Sequence, residues 1–303
     1  MIRIVRACEV ERALFFRAFS EGFSDYLIKL SMGEEEFYGR FFGAEGNELD
    51  RSFIAIEAEG DGGAESERGV GVILGGIRDY DGARTMRCGA MSVIPERRGT
   101  EVADLLLARH RREAIAEGCG RLFLEVIAGN ERAKRFYERN GYAVSGALRY
   151  YAHAKPAALA AEARAEGGDA PDVEELGFAE LRRYRESLSD LHVNWQNEMD
   201  YIERSGGLHY GVRERGELAA ALSMQGGSIK FLHVLKGRRG RGLARALIGR
   251  GVAGALERSP ELTAIRSSFP EKADLRAFYE RLGFSADPLY QFEMSATLSG
   301  AAG

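Results

Sequence analysis

The chain has 303 residues, 45% hydrophobic and 29% charged, which fits a globular protein of about two domains at roughly 150 residues each. Its net charge of −4 leaves no bulk footprint for nucleic acid, and no apolar run approaches the roughly 18 residues of a membrane span. Three scattered cysteines, Cys8, Cys88 and Cys119, offer neither a disulfide framework nor a metal-ligand spacing. With an N-terminus that lacks a signal-peptide core, they point to a reduced, cytoplasmic protein with no metal site.

Residues 2–8 alternate and are rich in β-branched side chains, so they predict a first strand. Residues 9–42 are helical in composition, and Phe15, Phe16, Phe19, Phe23 and Tyr26 fall at helical spacing as core aromatics. Strands follow at 52–60 and 69–82, separated by the turn stretch Gly60–Glu67. A fourth strand covers 85–94 and ends at Pro95. Then come a long helix, Val102–Glu117, a strand at 122–128, a helix, Glu131–Asn140, and strands at 143–146 and 147–153.

Residues 155–172 are rich in Ala, Gly and Glu and read as a linker. It separates a first domain, 1–154, from a second, 173–298. The second half repeats the order: a short strand at 173–176, one or two helices over 178–206, a hairpin from 208–215 and 217–225, and a fourth strand at 229–235. A long helix, Leu243–Glu257, a strand near Thr263–Ser268, a helix, Ala273–Leu282, and a closing strand at 291–298 complete it. The tail Ser299–Gly303 reads as disordered. Each half is thus mixed α/β, with a mostly antiparallel sheet flanked by helices.

The repeat is also visible residue by residue. Val93–Tyr142 and Val234–Phe284 align, with Arg98 on Arg239, Tyr137 on Tyr279 and Gly141 on Gly283. This is a duplicated domain, not a solenoid. In the second copy, Arg239-Gly240-Arg241-Gly242-Leu243-Ala244 joins a strand to a helix N-terminus. Glycines there let backbone N–H groups close on a pyrophosphate, and the helix dipole faces the same anion. The adjoining basic cluster, Lys236–Arg245, coincides with this loop, so it is read as phosphate-binding and not as a nucleic-acid surface.

Both halves resemble the GCN5-related N-acetyltransferase (GNAT) family, whose acetyl-CoA signature is Gln/Arg-x-x-Gly-x-Gly/Ala. The second half matches with RGRGLA. The first reads Arg98-Gly99-Thr100-Glu101-Val102-Ala103 after Val93 and Pro95, with Glu101 where the family has glycine. The resemblance implies two tandem GNAT folds with acetyl-CoA as the acyl donor and CoA as product. It also implies direct attack by a primary amine in a ternary complex. The acceptor is a small molecule or a peptide, and the chain is a monomer or homodimer.

The first half also holds Leu124-Glu125-Val126 and Asn130, followed by Tyr137. By resemblance to members that acetylate protein N-termini, Glu125 is the base, Tyr137 the acid for the CoA sulfur, and Asn130 a pantetheine contact. Val93, Arg98, Gly99 and Ala103 hold the cofactor in the first half. Val234, Arg239, Gly240, Arg241, Gly242 and Ala244 hold it in the second. The second half keeps Tyr279 as the acid, with Ser267 at the Glu position and Lys272 at the Asn position. This contrast favours the first half as catalytic. The alternatives are catalysis by the second half, or a CoA- or amine-sensing module without turnover. Strand parity predicts Arg87, Gly89, Met91, Ser228, Lys230 and Leu232 in the acceptor clefts, with Cys88 and His233 turned to the core.

Overall fold

The computed structural model describes residues 1–59, 66–165, 171–189 and 191–298. Most of the turn expected at Gly60–Glu67, the end of the expected linker, and the tail Ser299–Gly303 lie outside the described residues. In chain order the elements begin β1 (Ile2–Arg6), α1 (Arg12–Gly22), α2 (Glu34–Phe37), β2 (Glu48–Glu59), β3 (Ser66–Tyr80) and β4 (Ala83–Val93). They continue α3 (Val102–Ala116), β5 (Arg121–Ile127), α4 (Glu131–Arg139), β6 (Ala143–His153), α5 (Pro156–Ala165), β7 (Val173–Glu175) and α6 (Phe178–Glu186). The rest are α7 (Met199–Ser205), β8 (Leu208–Glu214), β9 (Glu217–Gln225), β10 (Ser228–Val234), α8 (Leu243–Arg258), β11 (Ile265–Pro270), α9 (Arg276–Arg281), β12 (Ser285–Ala286) and β13 (Gln291–Thr297).

Two compact units divide the chain: Met1–Ser145 together with the segment from Phe292 on, and Gly146–Gln291. The sequence placed the cuts at 154 and 173. The structure instead puts the strand after the first repeat, β6 from Gly146 on, in the second unit, and the strand after the second repeat, β13, in the first. Within the first unit the strand order is β1-β2-β3-β4-β5-β13, and within the second it is β7-β8-β9-β10-β11-β6 with β12 also on β6. Each repeat therefore gives up its closing strand in exchange for the other's. Within the stretch expected as a linker, Pro156–Ala165 is helix α5, and its Leu159 and Ala160 join the core beside α8. The two strands expected at 143–153 are one strand, and residues 23–33, expected as helix, connect α1 to α2.

In the first unit, β1 to β4 pair antiparallel in turn, and β4 pairs parallel with β5. In α3, Val102, Leu106, His110, Glu113 and Ala114 are buried at helical spacing, which lays one stripe on the sheet. On the other face, Phe15 and Phe19 of α1 pack with Phe37, the Phe19–Phe37 ring centroids lying 4.5 Å apart. The aromatics read from the sequence as core are built into this cluster or packed against it, apart from Tyr26.

The second unit repeats the plan with β7 to β10 antiparallel and β10 parallel to β11. Helix α8 lies close on its sheet because its inner stripe is small. A Cβ at Gly251 would stand 2.5 Å from Leu222 and 2.7 Å from Met224. Gly251→Ala would therefore push the helix off the strands. No helix among the described residues is long and apolar enough to cross a membrane.

Candidate active site

The parallel strands at the centre of each sheet part company early. In the first unit β4 and β5 pair only from Thr85–Arg121 to Cys88–Leu124, although β4 runs on to Val93 and β5 to Ile127. In the second, only Ser228–Arg266 and Ile229–Ser267 pair. Beyond the last rung the strands expose unpaired backbone groups to a gap, a place where an extended polar ligand can bind.

A bulge beside this gap reverses the strand parity. The β3–β4 register shifts between Leu74 and Gly75, and the β9–β10 register shifts between Ile229 and Phe231. An extra residue turns every later side chain to the opposite face. Arg87 and Gly89 thus lie on the α1 side as expected, and Cys88 is buried in the α3-side core. Met91 and Leu232, expected in the clefts, pack instead with the long-helix cores. His233, expected in the core, is only half-buried and meets Tyr184 of α6, Nδ1 to hydroxyl at 2.9 Å. Burial, aided by Arg239 and Arg185, pulls its pKa down to about 4, so the ring is neutral at pH 7.

The two loops expected to bind phosphate share one scaffold, and their backbones part at Glu101 and Gly242. A short turn, Pro95–Arg97 or Lys236–Arg238, leads into an extended arginine. Arg98 donates through Nε to the Val93 carbonyl at 3.1 Å, and Arg239 donates to the Val234 carbonyl at 3.2 Å. Gly99 and Gly240 then take φ of +80° and +76°. Gly242 is again left-handed, at φ +78°, while Glu101 sits in the right-handed region at φ −69°. The glutamate is accommodated because the first loop does not need a second left-handed residue. A Cβ added at Gly99, Gly240 or Gly242 would meet nothing within 4 Å, so a ligand can approach the backbone there. The first-turn amides of α3 and α8, around Ala103 and Ala244, have no intrahelical acceptor, as at any helix start. Donors in this arrangement fit a pyrophosphate.

The arginines are employed differently. Arg98 clasps Asp25 with two 2.6 Å bonds and also donates to the Gly22 carbonyl at 3.1 Å. That clasp holds the Asp25 carboxyl below its ordinary range. Arg239 has no carboxylate partner among the described residues. Arg238 and Arg241 instead flank Glu214, at 2.9 and 3.3 Å.

On the α1 side of the first gap, the Glu125 side chain is 2% exposed and accepts from Arg87 Nε at 3.1 Å and Nη2 at 2.7 Å, both on Oε2. Arg87 also reaches Glu45 at 3.4 Å, and Arg40 meets Glu45 at 3.1 Å. Two cations and two anions thus alternate in a balanced chain, as burial of charge requires.

On the α4 side, Tyr137 is buried in the same core cluster as Cys88. Burial raises its pKa well above the ordinary value, as do the neighbouring Cys88 and Tyr142. Asn130 caps α4, accepting from the Ala133 amide at 3.2 Å. Sequence reasoning missed Glu45 as a partner of the site. Glu45 lies 42 residues from Arg87, and nothing local signals the contact.

In the second unit Tyr279 is fully buried, stacked on Phe269 at 5.1 Å, and shares a 2.8 Å hydrogen bond with Ser267. Burial pushes its pKa up to about 12, with Ser267 acting against the rise. The alignment set Ser267 at the place of Glu125, but the last rungs, Cys88–Leu124 and Ile229–Ser267, match Ser267 to Leu124. Ser268 is the residue on the outer face, where Asn197 Nδ2 donates to its carbonyl at 3.0 Å. Lys272 lies on the exposed turn before α9.

A family model described as "Acetyltransferase (GNAT) family" matches residues 13–142. That match lies within the first unit. A GCN5-related N-acetyltransferase from Sphaerobacter thermophilus is similar over 98% of this chain and 95% of its own, at 14% identity and a TM-score of 0.66. A tandem GNAT protein from the clavulanic acid biosynthesis pathway is similar over 100% and 99%, at 18% identity and a TM-score of 0.67. A GCN5-related N-acetyltransferase from Kribbella flavida is similar over 98% of this chain and 71% of its own, at 16% identity and a TM-score of 0.58. These likenesses carry the fold over both units.

Proposed function

We propose that the first unit transfers an acetyl group from acetyl-CoA to a primary amine by direct attack, with Glu125 as base and Tyr137 as acid. One observation carries this reading. At the last rung, Cys88–Leu124, Tyr137 lies on one face of the sheet and Glu125, the next residue of β5, on the other. Base and acid must flank the reacting carbon from opposite sides, because the amine enters as the thiolate leaves.

The acetyl thioester supplies the electrophilic carbon. The loop at Arg98, Gly99 and Ala103 would hold its phosphates, Val93 would bond the pantetheine arm through the backbone, and Asn130 would contact that arm. The amine gives its proton to Glu125, directly or through a water, while Arg87 and Glu45 keep the carboxylate in place. Tyr137 holds its own proton throughout the neutral range, so it can donate to sulfur. Holding both substrates in one gap supplies the proximity advantage.

A second reading is favoured by the loop with two left-handed glycines, Gly240 and Gly242. There the second unit is the stronger acetyl-CoA site, with Arg239, Arg241, Val234 and Ala244 around it and Tyr279 as acid, or it binds without turnover. Its outer face presents Ser268 and Asn197 in place of a carboxylate. Turnover of Tyr137→Phe and Tyr279→Phe on a panel of polyamines, amino acids, amino sugars and dipeptides separates the readings. Loss confined to Tyr279→Phe overturns the first.

A further inference from the structure

One residue beyond the last paired rung, the outer face of the gap carries different chemistry in the two units. In the first unit that residue is Glu125, bonded to Arg87. In the second it is Ser268, which two buried asparagines reach. They stand at either end of Asn194–Asn197, a tight turn closed by the Asn197 amide donating to the Asn194 carbonyl at 2.9 Å. Trp195, 1% exposed, pins the turn in the protein, and the two asparagines are 2% and 4% exposed. Asn197 Nδ2 donates to the Ser268 carbonyl at 3.0 Å and also reaches its hydroxyl at 3.4 Å. Asn194 Nδ2 lies 3.5 Å from that hydroxyl and 3.5 Å from Gln196 Oε1. Asn194 Oδ1 is buried without a hydrogen-bond partner among the described residues. We propose that this turn and Ser268 bind an uncharged amide group, its N–H meeting Asn194 Oδ1 and its carbonyl accepting from the Ser268 hydroxyl.

The donors and acceptors select that class. A buried acceptor without a donor is unfavourable, and a ligand N–H removes the deficit. Both asparagine amides donate toward Ser268, which leaves its hydroxyl hydrogen available to a ligand carbonyl. A carboxylate brings no hydrogen for Asn194 Oδ1. An ammonium ion brings one together with a charge, and a charge buried without an anion is costly. Glu198, the residue after the turn, is already paired with Arg185 at 2.7 Å. Lys230, the residue of β10 after the rung, is itself a cation and lies 4.7 Å from the Tyr201 ring centroid. Gln196 is only partly buried and is the side chain that gives way as the ligand enters. The inference concerns the second unit alone and stands whether or not Glu125 is the base of the first.

The test titrates the full chain, Asn194→Leu and Ser268→Asp with N-ethylacetamide, ethylammonium and propionate, each followed by the NMR signals of the probe. The parent is expected to bind N-ethylacetamide. Asn194→Leu is expected to weaken that binding about tenfold while the melting temperature is kept, as for loss of one hydrogen bond to a group that apolar packing replaces. Ser268→Asp changes a partly buried residue, and both asparagine amides can meet the new carboxylate, so it keeps the proposal falsifiable should Asn194→Leu fail to fold. It is expected to weaken N-ethylacetamide about fivefold and to strengthen ethylammonium by as much, the effect of one nearby charge. N-acetylglycine methylamide distinguishes the two sources of such a group: binding about tenfold tighter than N-ethylacetamide supports the site as one for a peptide, and equal binding supports it as one for a small N-acyl compound. No binding of N-ethylacetamide to the parent overturns the proposal, the turn then enclosing water only. N-ethylacetamide binding unchanged in both variants overturns it as well. So does binding of ethylammonium or propionate to the parent that Asn194→Leu abolishes.

Discussion

Exchanging Glu101 and Gly242, where the two loop backbones part, tests the proposed phosphate site most sharply. Gly242 stands at φ +78°, ψ −6°, with open space around its missing Cβ, so Gly242→Glu meets no clash and only conformational strain. Left-handed backbone costs an L-residue about 1–2 kcal/mol. For a unit of this size, that is a melting decrease of roughly 2–8 °C. The new carboxylate would also face the bound phosphates. One like-charge pair at about 4 Å in water costs about 1 kcal/mol, roughly a fivefold loss of affinity before the loop distortion adds to it. Glu101→Gly is not the mirror image. Glu101 already has φ −69°, so no strain is relieved, and added chain freedom costs roughly 0.5–1 kcal/mol. Its affinity for acetyl-CoA should rise about fivefold as the carboxylate goes. Calorimetric titration of acetyl-CoA and thermal melts of the parent and both variants read all four effects. A Gly242→Glu variant that melts and binds like the parent would refute the claim that left-handed backbone shapes the second loop for phosphate.

Three further outcomes follow, two of them from buried groups. Arg87→Met leaves the Glu125 and Glu45 carboxylates buried without their shared cation and should cost about 3–5 kcal/mol by denaturant titration, part of it recovered by adding Glu125→Gln. His110 is fully buried, with Nε2 3.3 Å from the Arg87 carbonyl, and burial pulls its pKa down to about 4 from an ordinary 6.5. Between those values the unfolded chain binds the extra proton, so the stability tied to neutral His110 is complete above pH 6.5 and is lost as pH falls toward 4. His110→Leu should therefore lose about 2 kcal/mol less than the parent on going from pH 7 to pH 5. Asn130→Ala removes the cap of α4 and should cost about 1 kcal/mol, with the first-turn amides of α4 exchanging faster with solvent.

Much of this was legible in the sequence because it is local. The left-handed glycine turns, the long helices after them and the short helices that carry Tyr137 and Tyr279 each have a signature within a dozen residues. The exchange of β6 and β13 was not legible, because β-propensity makes a strand without naming its neighbours. Parity failed at Met91, Leu232 and His233 for one reason: a bulge adds a residue without marking it. The same kind of slip set Ser267 at the place of Glu125, where strand pairing sets Ser268 on the outer face. The Arg40–Glu45–Arg87–Glu125 chain joins three separate segments, so only the folded structure assembles it.

Turnover of Tyr137→Phe beside Tyr279→Phe, in the intact chain with acetyl-CoA and an acceptor panel, tests the central claim most directly. The account predicts that Tyr137→Phe loses transfer while Tyr279→Phe keeps it. Loss with Tyr279→Phe alone would move the chemistry to the second unit and contradict it.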